Sequence, residues 1–260
     1  MASKVSADWR IEESFDRTGA YHMERDEELA RERIDQPDLP NILRLYSWQP
    51  HAVSTGYQQS MDAIDLEACA QASIDVVRRP TGGRAVLHAN ELTYAVIMRA
   101  NTGIYHTHNL IVRALLKSFE TLSASARGLD LTGGQTNIRA AYAQGTLTNA
   151  ACFASSARHE ATFEGRKVIG SAQRRFGDVV LQHGSILLTT DHMQLPSLLR
   201  LSEENRARMH ALLERETATL ADVCGRPISI AEAGFAVRER FVPEICELLA
   251  CQEPAPTAPA

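Results

Sequence analysis

The chain has 260 residues, 44% of them hydrophobic, and a formal net charge of −5. There is room for one large domain or two small ones with a substantial core, and the acidic balance excludes a general nucleic-acid role. No apolar stretch is long enough to span a bilayer, and the polar opening MASKVSADWRIEESFD lacks the apolar centre of a secretion signal, so a cytoplasmic protein with no membrane partner is expected.

Taken in chain order, HMERDEELARERI (22–34) is charged and helix-prone, with Met23, Ala30 and Ile34 as a thin apolar stripe. NILRLYSW (41–48) alternates like a half-buried strand that Pro50 ends. A short helix fits Glu67 to Ser73, before the strand IDVVRR (74–79). The glycine turn of PTGGRAVLH leads into another strand, and ELTYAVIM (91–98) is a strand with Leu92, Tyr94, Val96 and Met98 on one face. THNLIVRALLKSFETLSA (107–124) is a long helix, with Leu110, Ile111, Ala114, Leu115 and Phe119 at helical spacing. Residues 145–158 read as loop. A hairpin turning at Glu164-Gly165 is expected over 161–175, then a strand pair or one long bent strand over 178–189.

Beyond residue 195 the pattern is helical. Ser229 and Glu232 form a capping box before a helix whose path Pro243 must bend or break. The tail, 251–260, ends in EPAPTAPA and is expected to be disordered. The sum is an α+β fold: one catalytic domain over 9–250, built as a mixed or antiparallel sheet covered by helices, with a helical C-terminal region.

Five cysteines stand at 69, 152, 224, 246 and 251. An odd count at irregular spacing makes a poor disulfide framework, and no histidine falls at metal-ligand spacing. Free thiols are expected, four of them as fillers in helices. Cys152 differs, because NAACFASSARHE (149–160) has no strand or helix core around it.

Three motifs could carry chemistry. In RRPTGGRAVLH (78–88), Gly82 and Gly83 let the backbone approach a ligand, Arg78, Arg79 and Arg84 add positive charge, and His88 follows. This is either a cradle for a carboxylate, phosphate or activated acyl group, or an ordinary Gly-Gly hairpin with solvated arginines. In EGRKVIGSAQRR (164–175), Lys167 precedes the small residues Gly170 and Ser171; it is either a ligand for an acyl oxygen or phosphate, or a surface lysine. In LQHGSILL (181–188), His183 interrupts an apolar strand and reads as a wall of a site rather than an acid or base.

Together and in this order, the motifs resemble the signatures of the lipoate-protein ligase and octanoyltransferase family, which shares its catalytic fold with biotin-protein ligases. RRPTGGRAVLH is similar to R-R-x-[ST]-G-G-[GR]-A-V-x-H, and LQHGSILL to H-G-[ST]-[IL]-L. GRKVIGSAQRR is similar to the segment holding the family's acyl-contacting lysine, and LRLYSWQPHAVSTGYQQS (43–60) to an early strand-turn segment. The similarity runs from about residue 9 to 190.

The resemblance implies that Arg79, Gly82, Gly83, His88 and Lys167 line a tunnel for a medium-length acyl chain, with Gly170, Ser171 and His183 beside it. It implies a target lysine on a lipoyl-domain protein such as glycine cleavage H protein. Two chemistries compete within the family. Ligases use free acid and ATP; transferases take an octanoyl thioester from acyl carrier protein through an enzyme cysteine.

GGRAVLHANELTYAV resembles a cysteine-dependent octanoyltransferase branch, with Ala95 in place of the usual Ser. Cys152-Phe153 stands where ligases commonly carry Asn-Asp. Transfer is therefore expected, with Cys152 as nucleophile, Lys167 assisting the carbonyl, no cofactor, and a monomer as the family leaning. An ATP-dependent ligase, an octanoyl amidotransferase between lipoyl proteins and a non-catalytic binding subunit are the alternatives. Arg158, Arg166, Lys167, Arg174 and Arg175 suggest a basic patch that steers acidic partners, or else a solvated face.

Overall fold

The computed structural model describes residues 8–132 and 160–251. Its main layer is a seven-stranded mixed sheet in the order β1-β2-β6-β10-β9-β8-β7. The strands are β1 (Trp9–Arg17), β2 (Asn41–Trp48), β6 (Leu92–Arg99), β7 (Leu129–Thr132), β8 (Glu160–Phe163), β9 (Arg166–Phe176) and β10 (Val179–Ile186). Only β1 and β2 run parallel; the other neighbours are antiparallel. β1 was not foreseen, because its polar composition masks a partly buried edge strand. A smaller sheet, β4 (Asp75–Arg78), β3 (Ala52–Thr55) and β5 (Val86–His88), lies beside it.

The large sheet is covered on both faces, so β2 is buried along its whole length rather than half-buried. One face takes Leu43, Leu45 and the row Leu92, Tyr94, Val96 and Met98. Against it pack α3 (Ile104–Phe119), through Ile111, Ala114, Leu115 and Phe119, and α6 (Ile230–Ala250), through Ala233, Val237, Phe241 and Ile245. Each such side chain contributes roughly 1.5–3 kcal/mol on burial.

α3 starts three residues before the expected segment and stops at Phe119; a turn follows, and a separate 3-10 segment spans Ala124–Gly128. α6 begins at the expected Ser229–Glu232 capping box and passes through Pro243 without ending. The missing Pro243 N–H costs one helical bond, but buried Phe241 and Ile245 on either side anchor the helix to α3 and the sheet.

The other face is covered by α1 (Gly19–Asp35), capped by the Thr18 hydroxyl at the Tyr21 N–H. Its inward stripe is His22, Met23, Asp26, Leu29, Ala30 and Arg33, more polar than the sequence suggested, and Ile34 is exposed. The small sheet has its own core with α2 (Leu66–Gln71), the 3-10 segment Thr190–Leu198 and α4 (Glu203–Glu216), around Val53, Leu87, Leu195, Leu199 and Leu213. α5 (Leu220–Cys224) leads into α6. The expected hairpin is present, with Glu164 at φ 50° and Gly165 at φ 78°, both positive as a type I′ turn requires. Residues 179–186 form one strand, not two.

Candidate active site

A narrow slot lies where the small sheet folds over the α1 side of the large sheet. Strand register builds its floor. Tyr46, Thr93, Ser185 and Gly170 form one row across β2, β6, β10 and β9; Arg44, Ala95, His183 and Ala172 form the next. The small side chains at 93, 95, 170 and 172 keep the middle of that floor low. Gly184 is fixed by its neighbours, since a Cβ there would stand 2.5 Å from the Gly170 carbonyl oxygen. The slot encloses about 30 Å³, with Met23 among its lining residues.

Arg78 and Arg79 of the first motif brace the loops around it. Arg78 Nη1 donates to the carbonyls of Gly56, Tyr57 and Gln59 at 3.0, 2.9 and 2.8 Å. Buried Arg79 donates to Gly82 O at 2.8 Å, Arg84 O at 2.7 Å and Ser54 Oγ at 3.1 Å. Both guanidinium groups therefore hold loops in place. Gly83 sits at φ 94°, and its carbonyl packs so close to Gly56 that a Cβ at 56 would be 2.0 Å away. Gly82 faces open space.

His88 joins a chain of hydrogen bonds along the slot. Arg79 donates to Ser54 Oγ, which donates to His88 Nε2 at 2.7 Å, and His88 Nδ1 donates to Glu91 Oε1 at 2.7 Å. Thr93 and Ser185 donate to the same carboxylate oxygen, each at 2.7 Å. The Trp48 ring stacks on His88 at 4.0 Å and donates to Thr93. Glu91 Oε2 is buried with no hydrogen-bond partner among the described residues.

A second network lies behind the floor. Fully buried Asp26 accepts from Arg44, from Tyr46 Oη at 3.1 Å and from His183 Nδ1 at 2.9 Å. Burial pushes the Asp26 carboxyl up, but the His183 hydrogen bond and the Arg44 charge outweigh it and hold the pKa below its ordinary value. Burial drives the His183 imidazole down against the pull of Asp26. The ring is thus neutral: Nδ1–H donates to Asp26, and Nε2 accepts from the Thr81 hydroxyl at 2.6 Å. His183 ties the Gly82–Gly83 turn to the sheet.

Lys167 is buried and pairs with Glu160 at 2.6 Å; it is not among the residues lining the slot. A bulge sets its direction. Ala161 pairs with Ile169 but Thr162 with Lys167, so β9 carries one extra residue there. Val168 and Ile169 both join the α3-side core, and Lys167 turns to the opposite face, shared with Gly170 and Ala172. Ser171 faces the other way, bonding Tyr94 Oη at 2.8 Å.

Cys152 and Arg158 lie outside the described residues. The other basic residues do not form one patch: extended β9 puts Arg166 and Arg174 roughly 25 Å apart. Arg174 and Arg175 donate to backbone carbonyls of Pro80 and Thr102. Asp26, Thr81 and Glu91 escaped the sequence reading. Asp26 had a faint signal, its helical spacing with His22, Ala30 and Arg33.

The architecture is thus a mixed sheet with a narrow slot near a glycine turn and a buried lysine on a neighbouring bulge. Residues 18–242 match the lipoyl protein ligase A/B catalytic domain, and the chain belongs to that family. It is 41% identical to "Octanoyltransferase LipM" of Symbiobacterium thermophilum over 91% of this chain and 86% of that one. The protein of the same name from Carboxydothermus hydrogenoformans is 36% identical, over 90% and 84%. Among solved structures, a bi-partite lipoate protein ligase from Thermoplasma acidophilum, described with its E2 lipoyl domain, superposes with a TM-score of 0.68 at 19% identity, over 94% of this chain and 92% of that one. At that identity the likeness shows the fold.

Proposed function

We propose that the chain carries an octanoyl group from octanoyl-acyl carrier protein to a lysine of a lipoyl-domain protein, through a thioester on Cys152. Octanoyl transfer in protein lipoylation is the activity of this acyltransferase, and the observation that carries it is 41% identity across nine-tenths of the chain to a protein of that activity. The donor, acceptor and thioester are the proposal's own. The acyl chain lies over the low floor of Thr93, Ala95, Gly170 and Ala172, with Arg79, Gly82, Gly83, His88 and His183 shaping the walls around it.

In the first step Cys152 gives up its proton and its thiolate attacks the donor carbonyl; the carrier–sulfur bond breaks, and the departing carrier thiolate takes up the proton that Cys152 released. In the second the neutral acceptor amine attacks the enzyme thioester, forms the amide and returns the thiol. A thioester donor is already activated, so no ATP is consumed. Lys167, turned to this face by the bulge, hydrogen-bonds the carbonyl oxygen as it gains charge. Glycine cleavage H protein is the acceptor favoured by the resemblance to the cysteine-dependent branch. The reading includes one catalytic domain over 9–250, a cytoplasmic setting and a monomer; no helix among the described residues is long and apolar enough to cross a membrane.

The test supplies an apo lipoyl domain with octanoyl-acyl carrier protein in one arm, and with octanoate plus ATP in the other. Octanoylation in the first arm alone is expected. Octanoylation in the second alone would make the chain a ligase.

A further inference from the structure

Next to the slot lies a second cavity of about 660 Å³, large enough for an extended polar ligand. The same two segments line both spaces. Arg79 and Ala172 border the slot, while Gly82, Arg84, Gln173 and Arg174 border the cavity. The chemistry changes sharply between them. The cavity walls present Gln58, Gln59 and Ser60, together with Arg84 and Arg174, and no carboxylate is among its described lining residues.

These walls are built rather than incidental. Arg78 gathers three carbonyls of the 56–59 loop, and Tyr57 N–H donates to Thr81 O at 2.8 Å, joining the two loops. Arg174 Nη1 donates to Pro80 O at 3.0 Å while its guanidinium lies 4.6 Å over the Tyr57 ring. Gln173, by contrast, turns its amide to the α3 face, where it donates to Gln182 at 3.0 Å, and borders the cavity beside Arg174.

We propose that this cavity receives the phosphopantetheine arm of the acyl donor, and so selects a carrier-borne thioester over a free acid. The inference rests on the thioester reading above. The cavity adjoins the Gly82–Gly83 turn, beside the slot's Arg79, so a thioester whose acyl chain lies in the slot has space there for its other half. The arm is slender, carries two amides and ends in a phosphate. Glutamine amides match the former, both giving and accepting hydrogen bonds. Guanidinium groups match the latter.

The test uses three donors: octanoyl-4′-phosphopantetheine, octanoyl-pantetheine, which lacks only the phosphate, and octanoyl-N-acetylcysteamine, which lacks most of the arm. Arg84→Ala is expected to raise KM for the phosphorylated donor about tenfold and to leave the other two within about twofold, as loss of one charge-assisted contact implies. Arg84→Lys should recover part of the effect, which damage to the fold would not. Equal changes for all three donors, or none, would overturn the assignment.

Calorimetry with unacylated 4′-phosphopantetheine separates the two proposals. Arg84-dependent binding without transfer from any thioester would leave the cavity assigned and remove the catalytic reading. Transfer from all three donors with no binding of phosphopantetheine would do the reverse.

Discussion

The two faces of the large sheet are both buried, yet they are built on opposite principles. The face under α3 and α6 is filled mainly by Leu, Val, Ile and Phe, with one short polar ladder through Ser171, Tyr94 and Gln182. The face under α1 and the small sheet buries Arg44, Asp26, His183, His88 and Glu91 in two hydrogen-bonded networks. Alternation along β2, β6 and β10 sends mostly apolar residues to the first face and interleaves Arg44, Thr93, His183 and Ser185 with Ile42, Ile97, Val179 and Leu181 on the second. The first face holds the fold; the second also fixes a shape, because each polar group has directional partners and cannot slide.

The contrast yields graded tests. The largest effect is expected from Asp26→Ala, which removes the fully buried carboxylate shared by Arg44, Tyr46 and His183 and leaves Arg44 the partly exposed Glu12 alone as a carboxylate partner. Breaking one partner of a buried pair costs about 3–5 kcal/mol, read as a fall in urea stability, and adding Arg44→Met should recover much of it. Simple additivity of the two losses would deny that they form one unit.

Leu115→Ala, on the apolar face, should cost about 3 kcal/mol yet leave KM for the acyl donor unchanged. A shifted KM would mean that the faces are coupled.

His22 sharpens the difference through pH. Burial lowers its pKa to about 4, from an ordinary 6.5. The unfolded chain thus binds a proton first as pH falls. The stability from keeping His22 neutral is complete above about 6.5 and drains away toward pH 4, up to about 3 kcal/mol in all. His22→Gln should flatten that part of the profile; an unchanged slope would contradict it. The smallest effect is expected at the slot, where Glu91→Gln should preserve the fold but loosen His88 and slow transfer about tenfold, near 1.4 kcal/mol.

Much of the first face was legible in the sequence. Leu92, Tyr94, Val96 and Met98 alternate as a strand, and Leu110 to Phe119 repeat as a helix, because apolar periodicity and burial coincide there. The second face misled for the converse reason. Arg44 and Ser47 made β2 look half-buried, and Asp26 with Arg33 left α1 only a thin apolar stripe, because a charge signals solvent unless its partner is known, and the partners come from other elements. The motifs placed Arg79, His88 and His183 beside one slot. The bulge that turns Lys167 had no local mark in the sequence, since it arises from the pairing of β8 with β9.

The central claim is that an acyl group passes through Cys152. The most direct measurement is intact mass after mixing the protein with octanoyl-acyl carrier protein, without ATP. One octanoyl adduct, released by hydroxylamine and absent in Cys152→Ser, is the predicted result. A protein that stays unmodified while still octanoylating a lipoyl domain, or an adduct that persists in Cys152→Ser, would contradict it.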